Sequence, residues 1–493
     1  MKEDNKYKVF KAILTDNLGQ ARTLLREQPD GLELLAELLE LVWSKAYPFK
    51  QLKAKEPEFI GINPSFTCGI GCEMCNSGFS DKSVLFEDKK YLLPQEFNNS
   101  MQWIKAASNV IFVGLGETLN SPYITQFIET VQDKNSFLYT SGIPLNQEKA
   151  SALIKSGLKH LIFSFDGKSR AGHSGGNEEY IQKFWEKVRL VRKVKLDQNS
   201  LLPELKLIIA VDSENINELN ELIERAAQNS INEIMLAPMT PSNKNLYYKS
   251  IFKNYEESKE IINTAILYWM KRGVRVTLLG QFDSIQDTTE NCPYVDNWLS
   301  FYASDDTPSI CCGEIALPLS PAGLNIDEFW NSFPFRYFRH LHFRSQPNEL
   351  PNACKNCWAM NLKQYSHHCS TLYNDEKTEK MQFDALTTYH SASEFKKKNF
   401  EEKSEKMFLR ILSFSIDPEL KGKACFHLGE LQLRNKNYIM ALSYMKRAIQ
   451  NYFKHGHAFS YLYLLIMLTE EETGAEKKTK FDLMSRVNKS PNF

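Results

Sequence analysis

Three cysteines early in the chain have the spacing of ligands for an iron–sulfur cluster. They are Cys68, Cys72 and Cys75, in the pattern Cys-x-x-x-Cys-x-x-Cys. A 4Fe–4S cluster normally takes four thiolates, so three in one short loop leave one iron open to a small molecule. A zinc site is the alternative, but zinc usually needs a fourth His or Cys ligand, and none lies close by in the sequence.

This pattern resembles that of the radical S-adenosylmethionine (SAM) superfamily. The resemblance implies that the amino and carboxylate groups of SAM chelate the open iron. Reductive cleavage of SAM would then yield a 5′-deoxyadenosyl radical that abstracts hydrogen from a substrate, with an electron donor such as flavodoxin or ferredoxin. Met74 precedes the third cysteine, where family members commonly place an aromatic residue near the adenine.

A glycine-rich element supports the same resemblance. Gly114-Leu115-Gly116-Glu117 is similar to the family's Gly-Gly-Glu-Pro element, whose backbone and acidic side chain hold the SAM amino group. Glycines let a backbone approach a ligand closely, and a carboxylate suits an ammonium. Leu115 replaces a glycine of the family pattern, and Thr118 stands where proline is usual.

Polar residues follow the next two predicted strands. Ser141, Ser164 and Asp166 occupy positions where family members contact the SAM ribose or carboxylate. Turn chemistry is the alternative, because the Asp-Gly pair that begins at residue 166 is common in turns. Arg170 and His173 follow in the same loop, either to meet a carboxylate or to be solvated.

A second cysteine group lies further along the chain, at Cys292, Cys311, Cys312, Cys354 and Cys357. It resembles the SPASM/twitch extension of radical SAM enzymes, which carries one or two auxiliary 4Fe–4S clusters. The resemblance implies one auxiliary cluster held by Cys292, Cys311, Cys354 and Cys357, with Cys312 as the alternative to Cys311. A structural zinc site is the other interpretation, because four thiolates suit zinc as well.

Other residues of this region are less clearly assigned. The Phe-Trp-Asn-Ser segment at 329–332 and Arg339 lie between the cysteines. Cys369 is either a fifth ligand or a spare thiol. Cys425 stands alone in an apolar helical stretch and is predicted to be a small core residue.

Alternating β and α patterns must position these residues. Strands are predicted at 58–63, 109–113, 136–139, 160–165, 205–211, 233–237 and 274–279, with helical patterns between them. Repeated β-α units imply a parallel sheet with right-handed crossovers. In barrels of this kind, chemistry gathers at the carboxyl ends of the strands. The first cysteine loop follows the first strand, where that rule places it.

With the family resemblance, the expected fold class is α/β. The predicted architecture is a partial (β/α)6 barrel with a small cysteine-rich auxiliary-cluster domain and helical N- and C-terminal regions. Its parts are the helical region 1–55, the radical SAM barrel 56–280, an irregular SPASM/twitch-like domain 281–370 and a helical region 390–493. Leu428, Gly429, Ala441 and Ala448 have the offsets of a tetratricopeptide (TPR) helix pair. An ordinary helical tail is the alternative.

The composition narrows the possible partners and the compartment. The 493 residues include 60 Lys plus Arg and 60 Asp plus Glu, so charge gives no global reason to expect a nucleic acid or an anionic membrane as partner. No uncharged apolar run reaches transmembrane length. The N-terminus lacks the apolar core of a signal peptide. We therefore expect a cytoplasmic protein.

The leading hypothesis is a radical SAM enzyme with one auxiliary cluster that acts on a peptide or protein held by the TPR-like tail. The alternative is radical oxidation or rearrangement of a small molecule such as a sugar or cyclitol alcohol. A third hypothesis, from another class, is a TPR adaptor with a structural metal core. The sequence identifies no catalytic acid or base, since the cofactor supplies the difficult chemistry.

Overall fold

The structure, a computed structural model, divides into two compact units. It describes residues 5–28, 32–43, 52–70, 72, 74–75, 90–167, 178–241, 244–280, 282, 292, 294–301, 308–311, 324–343, 349–373, 378–415 and 417–469. The first unit, here the helical unit, comprises Met1–Lys55, Glu314–Lys355 and Glu376–Phe493. The second, here the sheet unit, comprises Glu56–Gly313 and Asn356–Asp375.

The sheet unit is built on eight parallel strands in the spatial order β7-β6-β5-β4-β3-β2-β1-β8. The strands are β1 (Phe59–Ile62), β2 (Asn109–Phe112), β3 (Asn135–Thr140), β4 (His160–Ser164), β5 (Glu204–Val211), β6 (Glu233–Pro238), β7 (Arg275–Leu278) and β8 (Trp298–Phe301). The seven predicted strands are confirmed as β1 to β7, and each of β1 to β6 pairs with the next strand along the chain. The predicted α/β class with a partial barrel is therefore confirmed as an open parallel sheet.

The described helices of the sheet unit lie in the connections between strands, except the last of them, which follows β8. They are α4 (Pro94–Asn99), α5 (Met101–Ala106), α6 (Ile124–Thr130), α7 (Gln147–Lys155), α8 (Glu178–Asp197), α9 (Leu219–Gln228), α10 (Lys244–Lys249), α11 (Tyr255–Met270) and α15 (Leu362–Tyr373). Gly157 and Gly273 follow α7 and α11 with φ of +83° and +79°. They are the left-handed residues that commonly end helices.

The helical unit contains the remaining helices. They are α1 (Asn5–Leu14), α2 (Leu18–Arg26), α3 (Glu33–Val42), α12 (Ile326–Trp330), α13 (Phe333–Phe343), α14 (Asn352–Lys355), α16 (Thr378–Lys397), α17 (Glu401–Phe414), α18 (Pro418–Arg434), α19 (Tyr438–Asn451) and α20 (Gly456–Thr469). Helices at both ends of the chain are thus confirmed. Among the helices of the described residues, none combines the length and apolar character that crossing a membrane requires.

The N-terminal helices pack on the last described helix. Both α1 and α3 contact α20, and the rings of Phe10 and His457 stack with centroids 4.3 Å apart. Asp16 forms an ion pair with Arg336, whose side chain is 2% exposed, and a hydrogen bond with Tyr463. These contacts unite helices that are far apart in the sequence.

Two glycines determine how closely α18 and α19 pack. A Cβ at Gly422 would lie 2.4 Å from the Cβ of Tyr452 and 3.0 Å from the carbonyl oxygen of Ala448. A Cβ at Gly429 would lie 2.7 Å from Cε of Met445, the flexible end of that side chain. The close packing of this helix pair therefore requires small residues at positions 422 and 429. The assignment of the pair as a TPR repeat stays a prediction.

A half-buried charged network connects α16 with α18. Nζ of Lys396 forms an ion pair with Oε2 of Glu430, and Nδ1 of His427 lies 3.3 Å from the same oxygen. Burial raises the pKa of Glu430, but the hydrogen bond of His427 and the charge of Lys396 outweigh it and lower the pKa to about 2. The carboxylate therefore stabilises the folded state at neutral pH.

The region 281–370 is more regular than the sequence predicts. It contains β8 and helices α12, α13 and α15, so the prediction of an irregular segment is wrong for these parts. The sequence pattern does not predict α13, because this helix is rich in aromatic residues, which have a low helix propensity. Burial compensates, since Phe333, Phe335 and Phe338 are almost inaccessible to solvent.

Candidate functional site

The first cysteine loop leaves the carboxyl end of β1, as the sequence predicts. Cys68 and Cys72 are partly buried, and Cys75 is exposed. The amide of Cys75 donates to the carbonyl of Cys72 at 3.1 Å, so these two residues lie within a single turn. Met74 is partly exposed between them.

The glycine-rich element after β2 lies directly against this loop. A Cβ at Gly116 would stand 2.4 Å from the carbonyl oxygen of Ser65 and 2.6 Å from that of Thr67. A Cβ at Gly114 would collide with the side chain of Asn63, at 2.1 Å from Oδ1. Both glycines are therefore needed to let the cysteine-bearing segment approach the end of β2.

Glu117 connects three chain segments at this edge of the sheet. Its amide donates to the carbonyl of Thr67 at 2.9 Å, and its carboxylate is buried. Oε1 accepts from the amide of Leu119 at 3.1 Å and from the hydroxyl of Thr140 at 2.6 Å. Oε2 accepts from the amide and hydroxyl of Ser141 at 2.8 and 2.5 Å. The four acceptor positions of a carboxylate are thus occupied by donors of the protein.

Burial and neighbouring acidic groups act on the pKa of Cys68 at this edge. Burial raises the pKa of Cys68, and the negative charges of Glu117, Cys72 and Cys75 raise it further. The three thiols and the carboxylate are therefore close enough to influence one another. The raised pKa keeps the Cys68 thiol protonated and uncharged at neutral pH, and a bound metal cluster would coordinate it as the thiolate. Across the described residues, no three His, Cys, Asp or Glu side chains have the full geometry of a metal site.

The other predicted SAM contacts lie at neighbouring strand ends. Ser141 follows β3 and is buried against Glu117, whereas Ser164 ends β4 and is partly exposed. Asp166 is buried, and its Oδ1 accepts from the amide of Ala210 at 2.7 Å. Gly167 has φ of +66°, which fits the turn interpretation of this pair. Arg170 and His173 lie outside the described residues.

Two further polar residues at the end of β5 are absent from the sequence prediction. The amide group of Asn215 donates to the carbonyl of Ala210 at 2.7 Å and to that of Asp166 at 3.2 Å. Oδ1 of Asp212 accepts from the amides of Glu214 and Asn215 at 2.8 and 2.9 Å. An Asp-x-x-Asn pattern in the sequence is typical of an ordered turn. Here the turn connects the ends of β4 and β5.

Three members of the second cysteine group lie close enough in the sheet unit for their charges to interact. Burial raises the pKa of Cys292 to about 12, with smaller contributions from the charges of Cys357 and Cys311. The carbonyl of Cys357 accepts from the amides of Met360 and Asn361, both at 3.1 Å. The charges of Cys311 and Cys357 both act on Cys292, although 46 positions separate these two residues in the chain.

The remaining cysteines have different surroundings. Cys354 is buried in α14, and Cys312 lies outside the described residues. Cys369 is buried in α15, where burial raises its pKa to about 11 and the hydroxyl of Tyr365 forms a hydrogen bond with it. Cys425 is fully buried in α18, in agreement with its prediction as a core residue.

The aromatic segment 329–332 and Arg339 stabilise the helical unit. Asn331 accepts at Oδ1 from the amide of Ala54 at 2.8 Å, and Nε1 of Trp330 donates to the carbonyl of Lys55 at 2.6 Å. The buried guanidinium of Arg339 donates to the carbonyl of Trp330 at 2.9 Å and lies 4.6 Å from its ring. This segment therefore anchors residues 52–55.

Comparisons with known proteins give remote structural similarities. No family model matches the chain, and no curated protein matches its sequence. Streptococcus suis SuiB bound to S-adenosylmethionine aligns at a TM-score of 0.43 with 11% identity, over 68% of this chain and 76% of SuiB. Native anSMEcpe with bound AdoMet aligns at 0.46 with 15% identity, over 64% of this chain and 96% of that one.

A third structure, BtrN in complex with AdoMet and 2-DOIA, aligns at a TM-score of 0.34 with 12% identity. The alignment covers 62% of this chain and 93% of the BtrN chain. With identities no higher than 15% and TM-scores no higher than 0.46, these similarities assign neither activity nor substrate. The function is inferred instead from the residues at the carboxyl ends of β1 to β4.

Proposed function

We propose that the protein is a radical SAM enzyme whose 4Fe–4S cluster is held by Cys68, Cys72 and Cys75. The observation that supports this most directly is the packing of the cysteine loop on Gly116 and Glu117 at the carboxyl end of a parallel sheet. When bound, such a cluster supplies the electron for reductive cleavage of SAM to a 5′-deoxyadenosyl radical.

The chain's own residues divide the work of holding SAM. Met74 and Ser164 are partly exposed and are proposed to contact the adenosine part. Glu117 is proposed to fix the ends of β2 and β3, with Ser141, because its carboxylate already receives four protein donors. Asp166 has a similar role between β4 and β5. Backbone carbonyls beside Gly114 would then receive the SAM ammonium.

We further propose that Cys292, Cys311, Cys354 and Cys357 hold one auxiliary 4Fe–4S cluster. The proximity of the thiols of Cys292, Cys311 and Cys357 supports this assignment.

The substrate is a peptide or protein, held by the TPR-like helices α16 to α20. A small ferredoxin or flavodoxin would supply the electrons.

The test is anaerobic reconstitution followed by iron analysis and SAM cleavage under dithionite. Two 4Fe–4S clusters predict about eight irons per chain. Replacing Cys68, Cys72 and Cys75 with alanine should halve the iron and abolish 5′-deoxyadenosine formation. Cys425→Ala is the matched control and should change neither, because this thiol is buried within a helix of the helical unit. Release of 5′-deoxyadenosine by the triple variant would refute the assignment.

The auxiliary cluster needs a separate experiment. Changing Cys354 and Cys357 to alanine should remove half of the iron and leave SAM cleavage without substrate intact, because the first cluster uses another loop. Zinc at one equivalent in protein purified without oxygen, with iron for a single cluster, would support a structural site instead. Cys369→Ala distinguishes a fifth ligand from a spare thiol by its iron content.

A further inference from the structure

One face of the sheet is packed by helices, and the other remains accessible. Phe112 on β2 stacks with Phe97 of α4, and Phe163 on β4 meets Phe184 of α8 edge-on. Burial alternates along the strands accordingly: Leu207, Ile209 and Val211 of β5 are fully buried, whereas the residues between them are partly exposed. Because side chains alternate between faces, those intervening residues line the open interior of the partial barrel.

The carboxyl-terminal half of this inner face is largely apolar. Its accessible members include Val113, Ile208, Ala210, Met235 and Ala237. By strand register Lys206 lies level with Tyr139 and Ile162 on this face, one inner position before Ile208, and its Nζ lies 3.0 Å from Oε2 of Glu233. Between this ion pair and the strand ends, the accessible side chains of β5 and β6 on this face are therefore apolar.

Tyr139 contributes a polar group to this wall. It precedes Thr140 and Ser141 on β3 and pairs with Ile162 of β4, so its ring lies on the inner face. Among the described residues its hydroxyl has no hydrogen-bond partner. By contrast, Thr277 is 3.5 Å from the carbonyl of Ile234, and Ser164 has a protein contact.

The surroundings of Tyr139 are those of a cavity wall. Its side chain is partly exposed to solvent, yet burial raises its pKa to about 12. A group can be both reachable and surrounded by protein only when it lines a concave space. The phenol therefore stays protonated at neutral pH and is available as a donor.

We infer that the part of the substrate that enters the barrel is an uncharged, apolar side chain of a peptide, and that Tyr139 donates a hydrogen bond to a carbonyl oxygen of that peptide. This inference rests on the proposed function. A sugar or cyclitol would bring several hydroxyl groups against the apolar side chains of β5 and β6 near the strand ends, and each unpaired hydroxyl would lose its bonds to water. Tyr139 is thus a substrate-positioning residue.

Deuterium transfer tests the substrate class. The reconstituted protein is incubated with SAM, dithionite and one deuterated probe: N-acetylleucinamide, N-acetylphenylalaninamide, N-acetylglutamate amide, glucose or myo-inositol. The radical breaks a C–D bond of the probe and forms a C–D bond at the 5′ carbon of deoxyadenosine. Dithionite and a proton then reduce the carbon radical left on the probe. Mass spectrometry of 5′-deoxyadenosine should show deuterium from the leucine and phenylalanine amides alone.

Binding measurements test the role of Tyr139 without turnover. Tyr139→Phe should weaken calorimetric binding of N-acetylphenylalaninamide about tenfold, the value of one hydrogen bond. It should leave binding of ethylbenzene, which has no carbonyl, unchanged. Tyr268→Phe, an exposed tyrosine on α11, is the matched control and should change neither. Equal loss for both probes would indicate a structural role and refute the assignment.

The two proposals fail in different ways. Absence of 5′-deoxyadenosine with every probe would refute the radical SAM function itself. Formation of 5′-deoxyadenosine with deuterium from glucose or inositol, from the glutamate amide, or from no probe would refute the apolar-peptide inference alone. Deuterium from the sugars would favour the small-molecule alternative.

Discussion

Replacing Glu117 with alanine should destabilise the sheet unit and not merely weaken SAM binding. The carboxylate accepts from two hydroxyls and from the backbone amides of Leu119 and Ser141. The hydroxyls can rotate toward other acceptors, but the two amides cannot. A buried donor without a partner costs about 1–3 kcal/mol, so the two amides together predict a loss of about 2–6 kcal/mol in the free energy of unfolding.

The assay is chemical and thermal unfolding of the metal-free protein, with SAM affinity measured on the reconstituted one. A loss of about 3 kcal/mol corresponds to roughly 6–12 °C in Tm for a domain of this size. Glu117→Gln should also lose stability, because the amide group it introduces would face hydrogen-bond donors. Glu129→Ala is the matched control, since this residue is exposed on α6, and it should stay close to wild type.

A loss of SAM affinity without a loss of stability would refute this structural role of Glu117. The sequence alone predicts a carboxylate that meets the SAM ammonium, whose loss would cost about 1.5–3 kcal/mol of binding free energy and no stability. If Glu117→Ala unfolds like wild type and loses only SAM affinity, the hydrogen bonds described for this carboxylate do not form, and Glu117 is a ligand-binding residue.

Two further predictions concern the helical unit. Gly422→Ala should lower the free energy of unfolding by about 1–3 kcal/mol, because its Cβ meets backbone atoms. Gly429→Ala, which meets only a flexible side-chain end, should cost less, and equal losses in urea unfolding would contradict the packing argument. The pKa of Glu430 is lowered from 4.5 to about 2, so its stabilisation is present above pH 4.5 and lost as the pH falls toward 2. Glu430→Gln should therefore be less stable than wild type at pH 7, by up to about 3 kcal/mol, and a gap that stays constant below pH 4.5 would refute this.

Local patterns made much of the fold predictable. The strands β1 to β7 are short apolar runs bounded by helical patterns, and successive units pair in sequence order. β8 shows the limit of this reasoning: its four residues, Trp298–Phe301, pair in parallel with β1, which lies much earlier in the chain. No local pattern encodes such a partner.

The candidate site divides in the same way. The spacing of Cys68, Cys72 and Cys75 is a local property, so the sequence predicts them as ligands. The donors to Glu117 come from the end of a different strand, and only the pairing of β2 with β3 brings Thr140 and Ser141 to it. A sequence motif can therefore identify a residue of the site. The role of that residue depends on its hydrogen-bond partners, which are set by the register of the sheet.

The packing of α1 and α3 on α20 has a consequence for biosynthesis. A ribosome adds about 5–20 residues per second. Phe10 is therefore made roughly 20–90 s before His457, the residue on which its ring stacks. During that interval the sheet unit can complete its strands in order of synthesis, but the apolar faces of α1 and α3 have no final partner. The earliest helices of the chain are thus the part of the nascent protein that most needs shielding from aggregation.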